Sequence, residues 1–256
     1  MSDTVTFHDL KDKSVFITGG GSGIGASLTE GFLQQGAKVA FVQRSDASEF
    51  AAKMGSKYGS TPAFIQCDIT DIPALKEAMA QAASINGAFD VVVNNAANDN
   101  RHQLADITPE SWDIGQAVNL RPHVFTAQAA VDGMKDAGGG SIINFSSVSY
   151  MMGNGDYPGY VAAKAAITGL TRGLARELGP HNIRVNALMP GWVLTERQMK
   201  LWATPEGLAA HLEKQCLKEH LVADDIVDAT LFLASKASRM MTGQAMVVDG
   251  GVVVTG

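Results

Sequence analysis

Tyr160 and Lys164 stand four residues apart within SVSYMMGNGDYPGYVAAKAAITGL, residues 147–170. On a helix that spacing puts both side chains on one face. A free phenol ionises at about pH 10, too high for a base at neutral pH. A cation held beside it favours the phenolate, so the pair can move a proton at a reacting oxygen. Y-x-x-x-K alone arises by chance in many helices. Three other places strengthen the reading. Ser147 closes the apolar run 140–147, where its hydroxyl can hold a substrate oxygen next to the tyrosine. NNA (94–96) closes an earlier apolar run, and Asn119, in AVNLRP, is placed to face the lysine and fix a water.

A second constellation lies upstream. TGGGSGIG, residues 18–25, follows the first apolar run and opens a helix. Glycine permits positive φ and close backbone approach, and a helix N-terminus favours anions. Gly19, Gly21, Ser22, Gly23, Ile24 and Gly25 therefore form a candidate pyrophosphate cradle. The spacing is T-G-x-x-x-G-x-G rather than G-x-G-x-x-G. At the end of the next strand a dinucleotide-binding fold inspects the adenosine ribose, where a carboxylate selects a free 2′-hydroxyl. Gln43 and Arg44 stand there instead. Arg44 can pair with a phosphate, which favours NADP over NAD, although Asp46 lies close by.

The elements that must position these residues alternate. Strands are expected at 14–18, 38–43, 63–67, 89–96, 140–147, 183–190 and 244–249. Helices are expected at 24–36, 46–57, 72–85, 109 through about 134, 158–178 and 223–235, with irregular helical pieces over 191–220. Strands alternating with helices imply βαβ units and a parallel sheet covered on both faces. In such a sheet ligands bind beyond the carboxyl ends of the strands. With no linker or repeat in 256 residues, one domain spanning 1–256 is the economical expectation.

Composition narrows the partners. Net charge −6 argues against nucleic acid and against an anionic membrane surface. No apolar run approaches the roughly 18–20 residues that span a bilayer, and the polar start MSDTVTFHDLKDK does not read as a signal peptide. Cys67 and Cys216 read as reduced, mostly buried thiols of a cytoplasmic protein. The histidines show no metal-ligand spacing, so no metal is expected. Asn144-Phe145-Ser146 matches a glycosylation sequon but falls inside an expected strand. Met151, Met152, Met240 and Met241 read as packing residues, with the first pair a candidate for the substrate mouth. Trp192 and Trp202 flank the irregular region and are candidates for a lid or for the core.

Taken together, TGGGSGIG, Asp68, NNAA (94–97), Asn119, Ser147, YVAAK (160–164), PGWVLT (190–195) and DGG (249–251) resemble the short-chain dehydrogenase/reductases over essentially the whole chain. The resemblance implies a single α/β domain, a Rossmann-type doubly wound sheet of seven parallel strands with helices on both faces. It implies a catalytic set of Asn119, Ser147, Tyr160 and Lys164, with Tyr160 as general acid/base. Lys164 would bind the nicotinamide ribose and lower the tyrosine pKa, and Asn119 would support a relay water. Asp68 and Ile69 would flank the adenine, and Asn95 and Ala96 would lie near the ribose. Pro190, Gly191, Val193 and Thr195 would line the carboxamide and pyrophosphate. Many relatives are tetramers, and the small residues Ala162, Ala163, Ala165, Ala166, Gly169 and Gly173 would allow close subunit packing.

More narrowly, residues 94–113, 138–149 and 194–222 resemble bacterial aldose 1-dehydrogenases of the D-xylose type. That implies oxidation of the anomeric hydroxyl of a sugar to an aldonolactone. Asn98, Asp99, Asn100, Arg101 and His102 follow the NNAA strand end, as hydroxyl-rich ligands need several polar partners. Asn98, Ser147, Asn154, Tyr160, Trp192 and Arg197 are the substrate-contact candidates. Gln43-Arg44 departs from the NAD-using relatives, which carry an acid there. Two other readings stand beside this one: a carbonyl reductase or polyol dehydrogenase of the same family, and a dinucleotide-sensing regulator without turnover.

Overall fold

The computed structural model describes residues 5–254. The first four residues of the polar N-terminal segment, and the last two of the chain, lie outside the described residues. Seven strands make one sheet: β1 (Ser14–Thr18), β2 (Lys38–Gln43), β3 (Ala63–Gln66), β4 (Val91–Asn94), β5 (Gly140–Phe145), β6 (Ile183–Pro190) and β7 (Ala245–Val248). Their order is β3-β2-β1-β4-β5-β6-β7, and every pair is parallel. The order reverses between β1 and β4, so the strand ends open into a crevice there.

Alternating side chains of each strand feed two cores, as a sheet buried on both faces requires. Val15 and Ile17 pack with Leu28, Phe32 and Leu231 on one face; Phe16 packs with Leu75, Met79, Val92 and Ile142 on the other. The first core includes residues of α1 (Gly23–Gln34) and α9 (Val227–Ala234). The second includes residues of α3 (Ile72–Asn86), α5 (Arg121–Asp136) and α6 (Pro158–Leu178). The remaining helices are α2 (Ser48–Tyr58), α4 (Pro109–Asn119), α7 (Glu196–Leu201) and α8 (Pro205–Lys214).

Three expectations about the elements need correction. The helix from 109 to 134 is two helices: Leu120 leaves helical geometry at φ −128 and ψ −53, and Pro122 follows. Proline has no N–H to continue the ladder, and the N–H of His123 goes to the Leu120 carbonyl instead of Asn119. β4 is shorter than expected and starts at Val91; just before it the Asp90 carboxylate accepts from the Lys13 ammonium at 2.8 Å and the Ser14 N–H at 2.9 Å. β5 stops at Phe145, so Ser147 lies beyond the strand. Its hydroxyl accepts the Ser149 N–H at 3.1 Å and caps a 3-10 turn, Val148–Tyr150. Cys67 is buried, but Cys216 is exposed, and its thiol donates to the Gly251 carbonyl. Met240 also faces outward, at 83% exposure, rather than packing. Asn144 is fully buried, which bars the sequon from glycosylation in the folded chain. No helix among the described residues is long and apolar enough to cross a membrane.

Candidate active site

The start of α6 carries the tyrosine and the lysine into the crevice. Pro158 occupies the first turn, where a missing N–H costs nothing, and the N–H of Gly159 donates to His102 Nε2 at 3.3 Å. Tyr160 and Lys164 then project together toward the end of β5. The Tyr160 phenol and the Ser147 hydroxyl both line the cleft there, close enough for Ser147 to pull the phenol's pKa down. Lys164 is 2% exposed, and its Nζ donates to the Phe145 carbonyl at 2.7 Å. That ammonium lies 5.4 Å from the centre of the Tyr160 ring. Ser146 Oγ donates to the Lys164 carbonyl at 2.6 Å, so strand end and helix are joined twice.

Electrostatics differ from the simple ammonium–phenol expectation. Tyr160 shows some surface to the cleft, yet protein atoms crowd its phenol. Desolvation pushes it well above the ordinary tyrosine value, and the Asp99 charge pushes the same way. The Ser147 hydroxyl and the Arg101 charge pull it back. Burial also takes Lys164 down, to about 7, which weakens the charge it can lend the phenol. Asp99 partly offsets that effect on the lysine.

Asn119 is buried, but its side chain does not face the lysine. Its Oδ1 accepts the Asn98 N–H at 2.8 Å, and its Nδ2 donates to the Asn98 and Gly115 carbonyls at 3.0 and 3.1 Å. The amide grips the loop after β4 on both backbone sides.

One cleft of about 1480 Å³ runs from the glycine loop past Tyr160 to α8. Every anticipated contact residue lines it except Asn119 and Gly21. Gly21 sits behind the loop, where its N–H donates to Gln43 Oε1 at 3.0 Å. Gly25 admits no side chain: a Cβ would lie 1.9 Å from the Gly19 carbonyl oxygen. Ser22 gives α1 no side-chain cap, so the first N–H groups of the helix face the cleft as free donors. Thr18 Oγ1 accepts from the N–H groups of Asn95 and Ala96, and Asn95 Nδ2 donates to the Thr18 carbonyl, tying the β1 and β4 ends together. Asp68 is held below the usual carboxylate range mainly by the Thr70 N–H. Gly191 also needs its glycine, since a Cβ would meet Asp249 Cα at 2.8 Å.

The far end of the cleft is polar and clasped. Gln198 Nε2 donates to Asp99 Oδ2 at 2.6 Å, and Arg197 Nη2 to Asn100 Oδ1 at 2.6 Å. Trp192 Nε1 donates to Gln198 Oε1 at 3.0 Å. Helix α7 is thereby fastened over the loop after β4. Trp192 and Trp202 both line the cleft, as does Met152. Asn154 Nδ2 donates to the Tyr157 hydroxyl at 3.2 Å.

The family model described as enoyl-(acyl carrier protein) reductase, a short-chain dehydrogenase model, matches residues 19–253. The chain belongs to the short-chain dehydrogenase/reductase family. It is 50% identical over 248 residues to the "Probable galactose dehydrogenase GalD" of Rhizobium meliloti (strain 1021), covering 96% of this chain and 97% of that protein. It is 47% identical over 247 residues to a D-xylose 1-dehydrogenase of Caulobacter vibrioides (strain NA1000 / CB15N), covering 96% and 97%. Its fold matches the crystal structure of a blue fluorescent protein from a metagenomic library in complex with NADPH. That match has a TM-score of 0.88 and 31% identity, and covers 96% and 100%. As a short-chain dehydrogenase/reductase the protein is an oxidoreductase with a nicotinamide dinucleotide cofactor. The uncapped α1 N-terminus and the closed-packed glycines Gly19 and Gly25 fit such a group.

Several residues build this short-chain dehydrogenase/reductase site in roles that their types and positions did not announce. Gln43 was weighed for the ribose, yet it pins the glycine loop. His102, whose Nδ1 faces the Asn100 carbonyl, anchors the start of α6. Arg101 and Tyr157 stack beside Tyr160. Arg101 and His102 stand out in the sequence as polar residues after NNAA, whereas Tyr157 is signalled only by its closeness to Tyr160.

Proposed function

We propose that the protein oxidises the anomeric hydroxyl of a cyclic aldose to an aldonolactone, with NADP favoured over NAD. The observation that carries this is that Tyr160 and Ser147 share one cleft with Asn98, Asp99, Asn100, Asn154 and Arg197. Such a lining suits a ligand bearing hydroxyls on several carbons. The two relatives named for galactose and D-xylose support the same reading.

In this account Ser147 and Tyr160 hold the C1 oxygen between them. The bound nicotinamide supplies a hydride acceptor and a positive charge. As the C1–H leaves with its electron pair, the hydroxyl proton passes to the Tyr160 oxygen and the C1–O bond becomes the lactone carbonyl. Lys164 holds the ribose and stands ready to carry the proton away, with a pKa of about 7 that lets it exchange near neutrality. Asn119 acts as a positioning residue through Asn98. The glycine loop holds the pyrophosphate, Asp68 and Ile69 the adenine, Asn95 and Ala96 the ribose. Pro190, Gly191, Val193 and Thr195 line the nicotinamide end. Arg44 favours a 2′-phosphate: it is exposed on the cleft wall, and Asp46, the neighbouring acid, is engaged with Ser48 at 2.6 Å. The chain is proposed as one cytoplasmic domain. Ala162, Ala166, Gly169 and Gly173 form an outward small-residue stripe suited to a homotetramer, whereas Ala163 is buried in the chain's own core.

Initial rates over pentoses, hexoses, polyols and ketones, with each oxidised and reduced cofactor, test the reading. Aldose oxidation with NADP should exceed the other combinations. Turnover confined to polyols or ketones would contradict it, and tight dinucleotide binding without turnover on any class would favour the sensor.

A further inference from the structure

Arg101 is a cation without an anion. Among the described residues the ion pairs involve Lys13, Lys57, Lys135 and Arg197, and no hydrogen bond from the Arg101 guanidinium is formed. Its carbon instead stands 3.8 Å over the Tyr157 ring and 5.2 Å from the Trp202 ring. The Tyr157 ring stacks on Tyr160, with centroids 5.3 Å apart and planes at 18°. Arg101 is half-buried and lines the cleft beside these rings. A guanidinium presents its N–H donors in one plane, and here they have no protein acceptor. Unsatisfied donors in a partly desolvated site are costly, and a ligand oxygen relieves that cost.

We infer that Arg101 is a specificity-determining residue that grips two neighbouring hydroxyl oxygens of the substrate, remote from the reacting carbon. The inference rests on the aldose reading and deepens it. The clamp by Tyr157 and Trp202 fixes the fork relative to Tyr160, so gripping the ring oxygens orients C1 at the phenol. Neutral hydroxyls suit a cleft end where the acids Asp99 and Asp156 stand among the cations Arg197, Lys200 and Lys214 and Asn98, Asn100 and Asn154 supply uncharged partners. Lysine keeps the charge but cannot present a planar pair of donors.

The test compares wild type with Arg101→Lys on the best aldose and on its singly deoxygenated analogues, with dinucleotide affinity measured alongside. The expected result is a KM raised by at least about tenfold, roughly 1.4 kcal/mol, with kcat within about threefold and dinucleotide affinity unchanged. One deoxy analogue should lose about tenfold in kcat/KM on wild type and almost nothing further on the variant, the non-additivity of a shared contact. An unchanged KM overturns the inference. So do losses that simply add for every analogue, the signature of a merely structural role, and so does a wild-type preference for sugar acids over neutral aldoses. If wild type oxidises no aldose at all, the aldose reading and the inference fall together.

Discussion

The phenol of Tyr160 is held high in this structure, by burial first and by Asp99 second. Sugar oxidation therefore rises with pH as the phenolate becomes available. Asp99→Asn removes one of the charges that raise it and leaves Arg197 without its ion-pair partner. The rising limb of kcat/KM should move to lower pH in that variant; a limb that stays put or moves upward would refute the coupling. Residue chemistry was the most legible part of the sequence. Tyrosine, lysine and serine carry their function in their type, and a spacing of four places two of them on one helix face. What each neighbour does was hidden. Asn119 turns to the Asn98 backbone rather than to Lys164, and Gln43 to Gly21, because only the folded chain decides which polar group lies within reach.

Between residue and molecule, the elements follow from apolar runs punctuated by glycine and proline. All seven strands were legible to within a few residues: the inner ones are short runs buried on both faces, and the partly buried edge strands β3 and β7 are short apolar runs too. The end of α4 carried a signal that was readable too: Pro122 opens a new helix and forces the break at Leu120. The loss of β5 pairing before Ser147 was not readable, because it depends on the hydroxyl capping a turn. The β1–α1 turn is where an element becomes a binding site. Gly25→Ala would drive a methyl group into the Gly19 carbonyl, so the loop must open. Dinucleotide affinity measured by fluorescence titration should fall by more than about tenfold, or roughly 1.4 kcal/mol. Unchanged affinity would show that the loop does not hold the pyrophosphate.

At the scale of the whole molecule, one sheet brings separate segments to a single cleft, and burying polar groups to do so has consequences for stability. His123 is buried, and desolvation with the nearby Lys164 charge lowers it to about 3, against the smaller opposing pull of the Leu120 and Phe145 backbone. The unfolded chain titrates there near the ordinary 6.5, so it binds the extra proton between those values. Stability is thus intact above about pH 6.5 and is lost as pH falls toward 3. His123→Phe should show a smaller drop in melting temperature between neutral and mildly acidic buffer than wild type; an equal drop would place the acid sensitivity elsewhere. The central claim is that this cleft runs sugar oxidation through the Tyr160 oxygen. Its most direct test is Tyr160→Phe assayed on the best aldose, with dinucleotide affinity measured in parallel. Turnover should fall by at least about 100-fold while dinucleotide affinity stays near wild type. A variant that retains near-normal turnover would contradict the account.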